Sequence, residues 1–183
     1  VCYYDNSNNL PKFAWSTNSG GTWATSTIDS GFTGGAPCSI SAPTVNSIFI
    51  TYYTDTAGAS NGSLKMRRSV SGPTGFDAPF FIDSRVGEGR WSGVASVDGQ
   101  EVFVAYHSFI GGNHYLSQAF SQLAGAAGTW STSTTAFDVG NTPGKNIHTA
   151  PIDEWTYLTS YTIGGGALNL KSYKIVFNSP LFN

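Results

Sequence analysis

The feature that most constrains this chain is an internal repeat with a period of roughly 53 residues. Three landmarks mark it: a hydrophobic residue followed by aspartate, an apolar run that closes on tyrosine, and a serine followed by a glycine-rich turn and an aromatic ring. They occur at Ile28-Asp29, Ile82-Asp83 and Phe137-Asp138; at Tyr4, Tyr53, Tyr106 and Tyr161; and from Ser16 to Trp23, Ser69 to Phe76 and Ser121 to Trp130. Because three landmarks share one period, the sequence predicts one structural unit repeated along the chain.

Each unit is predicted to contain four short strands, A to D. In the unit of residues 84–138, strand A lies near 92–97, and strands B, C and D lie near 101–106, 114–121 and 130–137. A small antiparallel sheet cannot bury its own face, so repeats of roughly 40–55 residues that each form one such sheet are typical of β-propellers. We therefore expect an all-β fold, a β-propeller built from four-stranded antiparallel blades.

The repeat divides residues 1–183 into about four blades, of which the first and last are incomplete. The expected domain is a single β-propeller, or a fragment of one, with blades near 1–29, 30–83, 84–138 and 139–183. Blade one begins at strand B, and soluble proteins rarely leave such an inner edge unpaired. Either the tail 174–177 pairs with this edge and closes a monomeric ring, or the edge pairs between chains. We favour a homo-oligomer or a larger parent chain, because a four-bladed ring leaves little room for a ligand channel.

The composition excludes several partners. Charged residues make up 11% of the chain and the formal net charge is −2, so no basic patch neutralises a phosphate backbone and nucleic acid is not an expected partner. The apolar runs are far shorter than the ~20 residues that span a bilayer. His107, His114 and His148 lack metal-ligand spacing, and there is no P-loop or nucleophile elbow. No metal or cofactor is expected.

Low lysine content, abundant Ser, Thr, Asn and Gly, and the sequon Asn61-Gly62-Ser63 favour an extracellular, secreted protein. Two cysteines are too few to define a disulfide framework. When the blades are aligned, however, Cys2 on strand B of blade one and Cys38 on strand A of the next blade map to the same rim. A disulfide between these two blades is therefore feasible, with free thiols as the alternative.

One repeat carries a recognisable motif. Residues 16–23 read Ser-Thr-Asn-Ser-Gly-Gly-Thr-Trp, which closely matches the Asp-box, Ser-x-Asp-x-Gly-x-Thr-Trp, with Asn18 in place of the usual aspartate. A degenerate copy runs from Ser69 to Phe76, and only Gly-Thr-Trp, ending at Trp130, survives in the third unit. The chain therefore resembles the sialidase-like (bacterial neuraminidase repeat) β-propeller superfamily over nearly its whole length.

The resemblance implies a structural role for this box. Its short polar side chain accepts backbone N–H groups inside the C–D hairpin, its glycine takes a positive φ, and its tryptophan packs back into the sheet. In the family, the boxes lie on the face opposite the active site. We therefore expect a role in the fold, and not in a binding site, for Ser16, Asn18, Gly20, Thr22 and Trp23.

In this architecture the D-to-A connections and the B-to-C loops open on one face, around a central channel. The aligned chain segments place there Cys38, Ser39, Arg90, Trp91, Asn146, Ile147, His148, Asp5, Asp55, His107, His114 and 164–166. Arg90 beside Trp91 is the best pair, because a planar donor fork next to an indole suits the hydroxyls and the C–H face of a sugar. The alternative is that Trp91 caps the core and Arg90 lies along it. The expected ligand-binding residues are Arg90, Trp91, Asn146, His148, Asp55 and His107.

Glycoside hydrolysis needs two carboxyl groups close together, or a tyrosine nucleophile with an acid nearby. Asp5, Asp55, Glu88 and Tyr161 could converge, but nothing in their spacing requires it. The resemblance also implies three arginines around the substrate carboxylate and an Arg-Ile-Pro motif. The chain lacks that motif, and its only arginines are Arg67, Arg68, Arg85 and Arg90. Arg67 and Arg68 are adjacent on strand C, so they are predicted to point to opposite faces. No catalytic residue is expected.

Three function classes stay open, because propellers host unrelated activities. The leading one is an extracellular, lectin-like module that recognises a glycan or another small ligand without catalysis. The second is a structural assembly module whose incomplete blades are completed by other chains. The third is a sialidase-like glycoside hydrolase or a fragment of one.

Overall fold

The computed structural model describes residues 1–31, 38–55, 62–84, 91–133, 145–153, 156–163 and 169–177. In these ranges every regular element is a β-strand, and no helix that could span a membrane occurs among them. The strands are β1 (Cys2–Asp5), β2 (Leu10–Trp15), β3 (Ala24–Thr27), β4 (Cys38–Ser41), β5 (Ile48–Asp55), β6 (Gly62–Ser69), β7 (Phe80–Asp83), β8 (Ser92–Ala95), β9 (Val102–Ile110), β10 (Asn113–Ser121), β11 (Ser131–Ser133), β12 (Lys145–Asp153), β13 (Thr156–Ile163) and β14 (Asn169–Val176).

The strands form four antiparallel sheets, each a simple meander. The first sheet is β1-β2-β3, the second β4-β5-β6-β7, the third β8-β9-β10-β11 and the fourth β12-β13-β14. The predicted all-β class and the antiparallel pairing within units are confirmed. Strands β8 to β11 also match strands A to D as predicted for the unit 84–138.

The tail proposed as a ring-closing strand has another role. Residues 174–176 are the end of β14 and pair with β13, where Lys174 lies opposite Leu158 and Ile175 opposite Tyr157. Strand C of the last unit is therefore longer than the sequence suggested. Among the described strands β14 pairs with β13 alone and β1 pairs with β2 alone, so this segment does not close the ring onto β1.

Apolar residues are buried between consecutive sheets. Phe13 of the first sheet and Ile28, which directly follows β3, pack with Ile50 and Tyr52 of the second sheet. The second and third sheets bury a larger cluster around Phe49, and the third and fourth bury another around Phe103 and Tyr157. Because strand residues alternate between two faces, the inner two sheets contribute side chains to two neighbouring interfaces each. The sheets therefore stack face to face in chain order.

The innermost strands also approach each other, since β1 contacts β4, β4 contacts β8, and β8 contacts β12. The Ser39 hydroxyl accepts a 3.1 Å hydrogen bond from the Val94 backbone N–H, which lies in β8. Gly93 permits the close approach of β8 to β12, because a Cβ added at this residue would lie 2.9 Å from the backbone nitrogen of Thr149 in β12. The missing side chain at residue 93 thus determines how closely the third and fourth sheets meet.

Buried polar links join consecutive sheets. Tyr52 donates a 2.9 Å hydrogen bond to Asp29, and Tyr106 donates one of the same length to Asp83. Both aspartates belong to the first sequence landmark. The sequence pattern indicated Tyr53 as the tyrosine landmark of the second unit. In the structure Tyr52, and not Tyr53, is equivalent to Tyr106, so the landmark lies one residue earlier.

The two adjacent arginines hold the second sheet to both neighbours. Arg67 donates to the backbone carbonyls of Thr27 at 2.7 Å and Ile28 at 2.9 Å in the first sheet. Arg68 donates to the carbonyl of Ala124, which follows β10, at 2.6 Å. The prediction that these side chains point to opposite faces is confirmed. Both guanidinium groups are engaged with backbone carbonyls, so neither is available for an arginine cluster around a ligand.

The motif at residues 16–23 is closed by its own polar groups. Asn18 Oδ1 accepts the Thr22 backbone N–H at 2.8 Å, and Ser16 Oγ accepts the Gly20 N–H at 2.8 Å, with Gly20 at a φ of 89°. The amide of Asn18 also donates to the Thr22 hydroxyl at 3.0 Å, a bond that an aspartate could not make. Asn18 therefore helps to close this turn through its own side chain.

The aromatic that closes each motif does not behave uniformly. Phe76 and Trp130 pack against core clusters, as expected. Trp23 instead leaves 54% of its surface exposed, and its indole N–H turns back to the Gly20 carbonyl at 3.1 Å. The expectation that Trp23 packs back into its sheet, equivalent to Phe76 and Trp130, is therefore wrong. The reason is local, because the indole hydrogen-bonds to its own turn.

Candidate central cleft

A cleft of about 420 Å³ lies where the innermost strands of all four sheets come together. Strands β1, β4 and β12 contribute side chains to it, and the third sheet contributes Trp91 and the start of β8. The lining residues are Val1, Cys2, Cys38, Ser39, Ile40, Trp91, Ser92, Asn146, Ile147 and His148. A volume in this range is typical of small-ligand sites, which measure roughly 300–1,000 Å³.

The structure brings together a large part of the channel mouth that the sequence outlined. Trp91, Asn146 and His148 line one cleft with Cys38, Ser39 and Ile147. Arg90 lies outside the described residues, and so does the side chain of Asp55, at whose backbone β5 ends. Sequence reasoning missed Ser92, although its position next to Trp91 at the start of strand A was a usable signal.

His107 does not line the cleft but supports it from behind. Its side chain is only 4% exposed, and its backbone N–H donates to the Trp91 carbonyl at 2.9 Å. The Trp91 and His107 rings meet edge to face with centroids 5.4 Å apart, and His107 Nε2 lies 2.8 Å from Nδ1 of His114. Trp91 also packs against the core between the third and fourth sheets. The indole therefore both caps the core and lines the cleft, so the two interpretations made from the sequence are not exclusive.

A β-bulge presents the polar side chains of β12. Lys145 pairs with Thr162 and His148 with Ser160, so β12 has one more residue than β13 between these pairs. Asn146 takes a φ of 54°, which is uncommon for a residue other than glycine. Bulges re-aim side chains and occur next to functional sites. Here the bulge buries Ile147 and leaves Asn146 and His148 exposed on either side of it.

A disulfide between Cys2 and Cys38 forms one wall of the cleft. It joins β1 to β4, with the two Cα atoms 6.1 Å apart. Since these strands belong to different sheets, the covalent link fixes the first sheet against the second. The cysteines therefore form the disulfide that the sequence left open, and it joins two different sheets.

Both hydroxyl side chains of the described lining already have protein partners. Ser39 accepts from Val94, and Ser92 donates to the Thr51 hydroxyl at 3.0 Å in a buried contact. Among the described residues, no hydrogen bond engages the side chains of Asn146 or His148. The described lining includes no Asp, Glu, Lys or Arg, and no metal-binding cluster occurs in the part of the chain that the structure describes. The cleft thus offers an amide, an imidazole and an indole to an uncharged polar ligand.

Asp5 and Tyr161, two of the residues considered for hydrolysis, do not line the cleft. Asp5 caps its own turn, accepting from the Asn8 amide at 2.7 Å and the Ser7 N–H at 3.1 Å. The bond from Asn8 is the main reason that the pKa of Asp5 is lowered. Tyr161 is fully buried between the third and fourth sheets. Glu88 lies outside the described residues.

Comparison with known proteins gives distant structural likenesses alone. No family model and no curated protein matches the chain. An α-L-arabinofuranosidase from Podospora anserina, solved in complex with cellotriose, aligns at 14% identity and a TM-score of 0.45, over 98% of this chain and 72% of the other. The catalytic domain of a Coprinopsis cinerea GH62 α-L-arabinofuranosidase aligns at 14% identity and a TM-score of 0.46, over 96% and 71%. At these scores neither assigns an activity to this chain.

Proposed function

We propose that this chain is a secreted, non-catalytic carbohydrate-recognition module, and that it binds a neutral sugar in the central cleft. One observation carries the proposal: the innermost strands of four sheets converge on a cleft that combines the Trp91 indole with the exposed polar groups of Asn146 and His148. The face of an indole is electron-rich and attracts the weakly positive C–H groups of a sugar ring. Amide and imidazole groups can then fix the ring hydroxyls through hydrogen bonds.

The side chains described in the cleft favour a neutral ligand. A bound carboxylate or phosphate normally meets arginine or lysine, and the described lining has neither. Arg67 and Arg68 are engaged with backbone carbonyls of neighbouring sheets. A sialic acid is therefore a poor match for these residues, although the motif at 16–23 resembles the sialidase-like superfamily.

The architecture supports the proposal by holding the site rigidly. Binding is favoured when the groups that contact a ligand are already in place. The Cys2–Cys38 disulfide, the Gly93 approach and the packing of Trp91 on His107 each fix one part of the cleft. The disulfide also fits an oxidising compartment such as the extracellular space.

We further propose that the four sheets are blades of a propeller ring, either larger than this chain or completed between chains. The inner edge of β1 is the point at which another strand would join, because in its own sheet β1 pairs only with β2. Light scattering tests the homo-oligomer, and a monomeric mass of 19.4 kDa would contradict it.

The binding proposal is tested with a glycan array followed by calorimetric titration of each hit. We expect binding to neutral glycans, and at least a tenfold loss of affinity in Trp91→Ala and in the double variant Asn146→Ala/His148→Ala. Phe81→Ala is the matched control, because Phe81 is an exposed aromatic that does not line the cleft. Equal affinity in the cleft variants and the control would reject the cleft as the site. Mass spectrometry of the same glycans after incubation tests for catalysis, and steady release of products would contradict the non-catalytic assignment.

A further inference from the structure

A second groove lies between the first two sheets, on the side where the β2–β3 and β4–β5 connections meet. Its volume is about 660 Å³, and its walls include Trp15 and Trp23 together with Val45. Trp15 is the last residue of β2, directly before the 16–23 motif, and Trp23 is the last residue of that motif. Ile40 lines both the groove and the central cleft, but Trp91 lines the cleft alone and the two tryptophans line the groove alone.

The side chains that line the groove are uncharged, and they combine aromatic rings with hydroxyl groups. Ser16, Ser19 and Thr44 line it alongside the indoles, and none of its described lining residues is Asp, Glu, Lys or Arg. A neutral lining disfavours phosphates, acidic peptides and basic peptides, each of which is recognised through opposite charge. Indole faces with nearby hydroxyl groups instead match a ligand that has flat C–H surfaces and many hydroxyls.

The exposed indole is held in place before any ligand arrives. Trp23 is 54% exposed, yet its N–H is bonded to the Gly20 carbonyl at 3.1 Å. The Asn18 and Ser16 bonds fix the turn that carries it. Trp15 stacks on Phe13 with ring centroids 5.3 Å apart, so the second indole also has a rigid support. An aromatic side chain that loses little freedom on binding contributes contact area at low entropic cost.

From these observations we infer that the groove is a second carbohydrate-binding site, which stacks a neutral oligosaccharide on Trp15 and Trp23. This inference reaches beyond the proposed function, because it does not depend on the central cleft. It also assigns the 16–23 motif a role in presenting a ligand platform in addition to its role in the fold.

The probes are cellohexaose and xylohexaose, whose equatorial hydroxyls leave C–H groups on both ring faces. The readout is the indole N–H region of a ¹H–¹⁵N spectrum, in which the five tryptophans of the chain give separate signals. Single Trp→Phe variants assign each signal. We expect a probe to shift the Trp15 and Trp23 signals in the low millimolar range. Shifts of the Trp91 signal report the central cleft separately, so failure of one site is distinguishable from failure of the other.

Variants decide whether the groove binds the sugar directly. Trp23→Ala is expected to weaken the groove affinity at least tenfold, and Trp23→Phe is expected to retain part of it, because a ring remains. Phe81→Ala, which removes an exposed aromatic elsewhere, should change nothing. Unchanged thermal unfolding of Trp23→Ala would confirm that the loss of affinity is not caused by unfolding. If Trp23→Ala does not fold, the Trp15 signal of Trp23→Phe reports binding in the groove instead, and a partial loss of affinity is expected there.

Three results would overturn the inference. The first is that neither probe shifts the Trp15 and Trp23 signals at 10 mM. The second is that Trp23→Ala binds as tightly as Phe81→Ala. The third is that the sugar-induced shifts disappear when the protein concentration is raised in the presence of excess sugar, which would mean that a second copy of the chain occupies the groove in place of the sugar.

Discussion

The Tyr106 hydroxyl donates a 2.9 Å hydrogen bond to Asp83, the last residue of the preceding sheet. Tyr52 makes the same bond to Asp29 one repeat earlier. Both tyrosines are fully buried, and both aspartates are nearly so. A buried carboxylate needs such donors, because leaving it unpaired costs several kcal/mol. The repeated Asp–Tyr pair is therefore a polar link that the repeat itself encodes between consecutive sheets.

Removing the Tyr106 hydroxyl should destabilise the fold. Tyr106→Phe takes away a hydrogen bond to a charged group, and we expect the free energy of unfolding to fall by about 1.5–3 kcal/mol. Chemical denaturation measures this loss. Tyr3→Phe, at a residue that is 39% exposed, is the matched control and should change stability by less than about 0.5 kcal/mol. Equal effects of the two substitutions would show that the link contributes nothing.

The repeat predicts a third link of the same kind. Tyr161 is fully buried like Tyr52 and Tyr106, and Asp138 precedes it by the interval that separates the other two pairs. Asp138 lies outside the described residues, so this pair is a prediction from the sequence. In a double-mutant cycle, Tyr161→Phe and Asp138→Asn should couple by about 0.5–3 kcal/mol, whereas Tyr106→Phe and Asp138→Asn should be additive. Additivity in both cycles would reject the third link.

Asp29 should make stability fall in acid. Burial acts to raise its pKa, but hydrogen bonds from Lys65 and Tyr52 and the charge of Lys65 outweigh burial and hold the pKa below its ordinary value of 3.8. A carboxyl group with a lowered folded-state pKa stabilises the protein above its unfolded-state pKa, and this contribution is lost as the pH falls through the folded-state pKa.

The stability of the wild type should therefore decline as the pH falls below about 4. Urea denaturation at a series of pH values checks this expectation. Asp29→Asn should be less stable at pH 7 and should show a shallower decline in acid, whereas Asp98→Asn, on an exposed turn, should follow the wild type. Parallel pH profiles for Asp29→Asn and the wild type would contradict the role of Asp29.

The strands were accessible from the sequence because alternation and turn residues are local signals. Strands β8 to β11 follow directly from such patterns, and so does the opposite orientation of Arg67 and Arg68. Contacts between sheets were harder to predict, because they depend on three-dimensional packing. The choice of Tyr53 over Tyr52 illustrates this. Both residues end the same apolar run, and what distinguishes Tyr52 is its hydrogen bond to Asp29 in the folded structure.

Part of the site was predictable because the repeats can be aligned with one another. Aligning the repeats placed Trp91, Asn146 and His148 at equivalent heights of neighbouring units, and the structure brings them to one cleft. The bulge that exposes Asn146 could not be read from the sequence, because it arises from the register between β12 and β13. The exposure of Trp23 was also missed, since the indole's bond to Gly20 competes with packing into the sheet.

Gly93 should be essential for the shape of the central cleft. In Gly93→Ala, the new Cβ would lie 2.7 Å from the Thr149 hydroxyl and 2.9 Å from its backbone nitrogen. The backbone of β12 must then move, and overpacking of this kind costs about 1–3 kcal/mol. Thermal unfolding should record the loss, and fluorescence should report a changed environment of Trp91.

Gly31→Ala is the control for this substitution, because among the described residues its added Cβ would meet only Asp29 Oδ1, at an ordinary 3.5 Å. The control should unfold at nearly the wild-type temperature. If Gly93→Ala behaves in the same way, the close approach of β8 and β12 is not what positions Asn146 and His148.

The Cys2–Cys38 disulfide should hold the first sheet in place. Strand β1 is short and is paired on one side alone within its sheet, so the covalent bond to β4 is its main restraint at the cleft. A disulfide that closes a loop of 36 residues stabilises the fold by roughly 4 kcal/mol, chiefly by restricting the unfolded chain. The double variant Cys2→Ser/Cys38→Ser should lose a stability of that order in urea denaturation, and reductant should affect the wild type but not the variant.

Hydrogen exchange should accelerate in β1 and β2 more than in β9 and β10, since the latter belong to the third sheet. Uniform acceleration in all four strands would mean that the bond stabilises the whole domain without holding the first sheet specifically, and it would remove the disulfide from the account of the cleft.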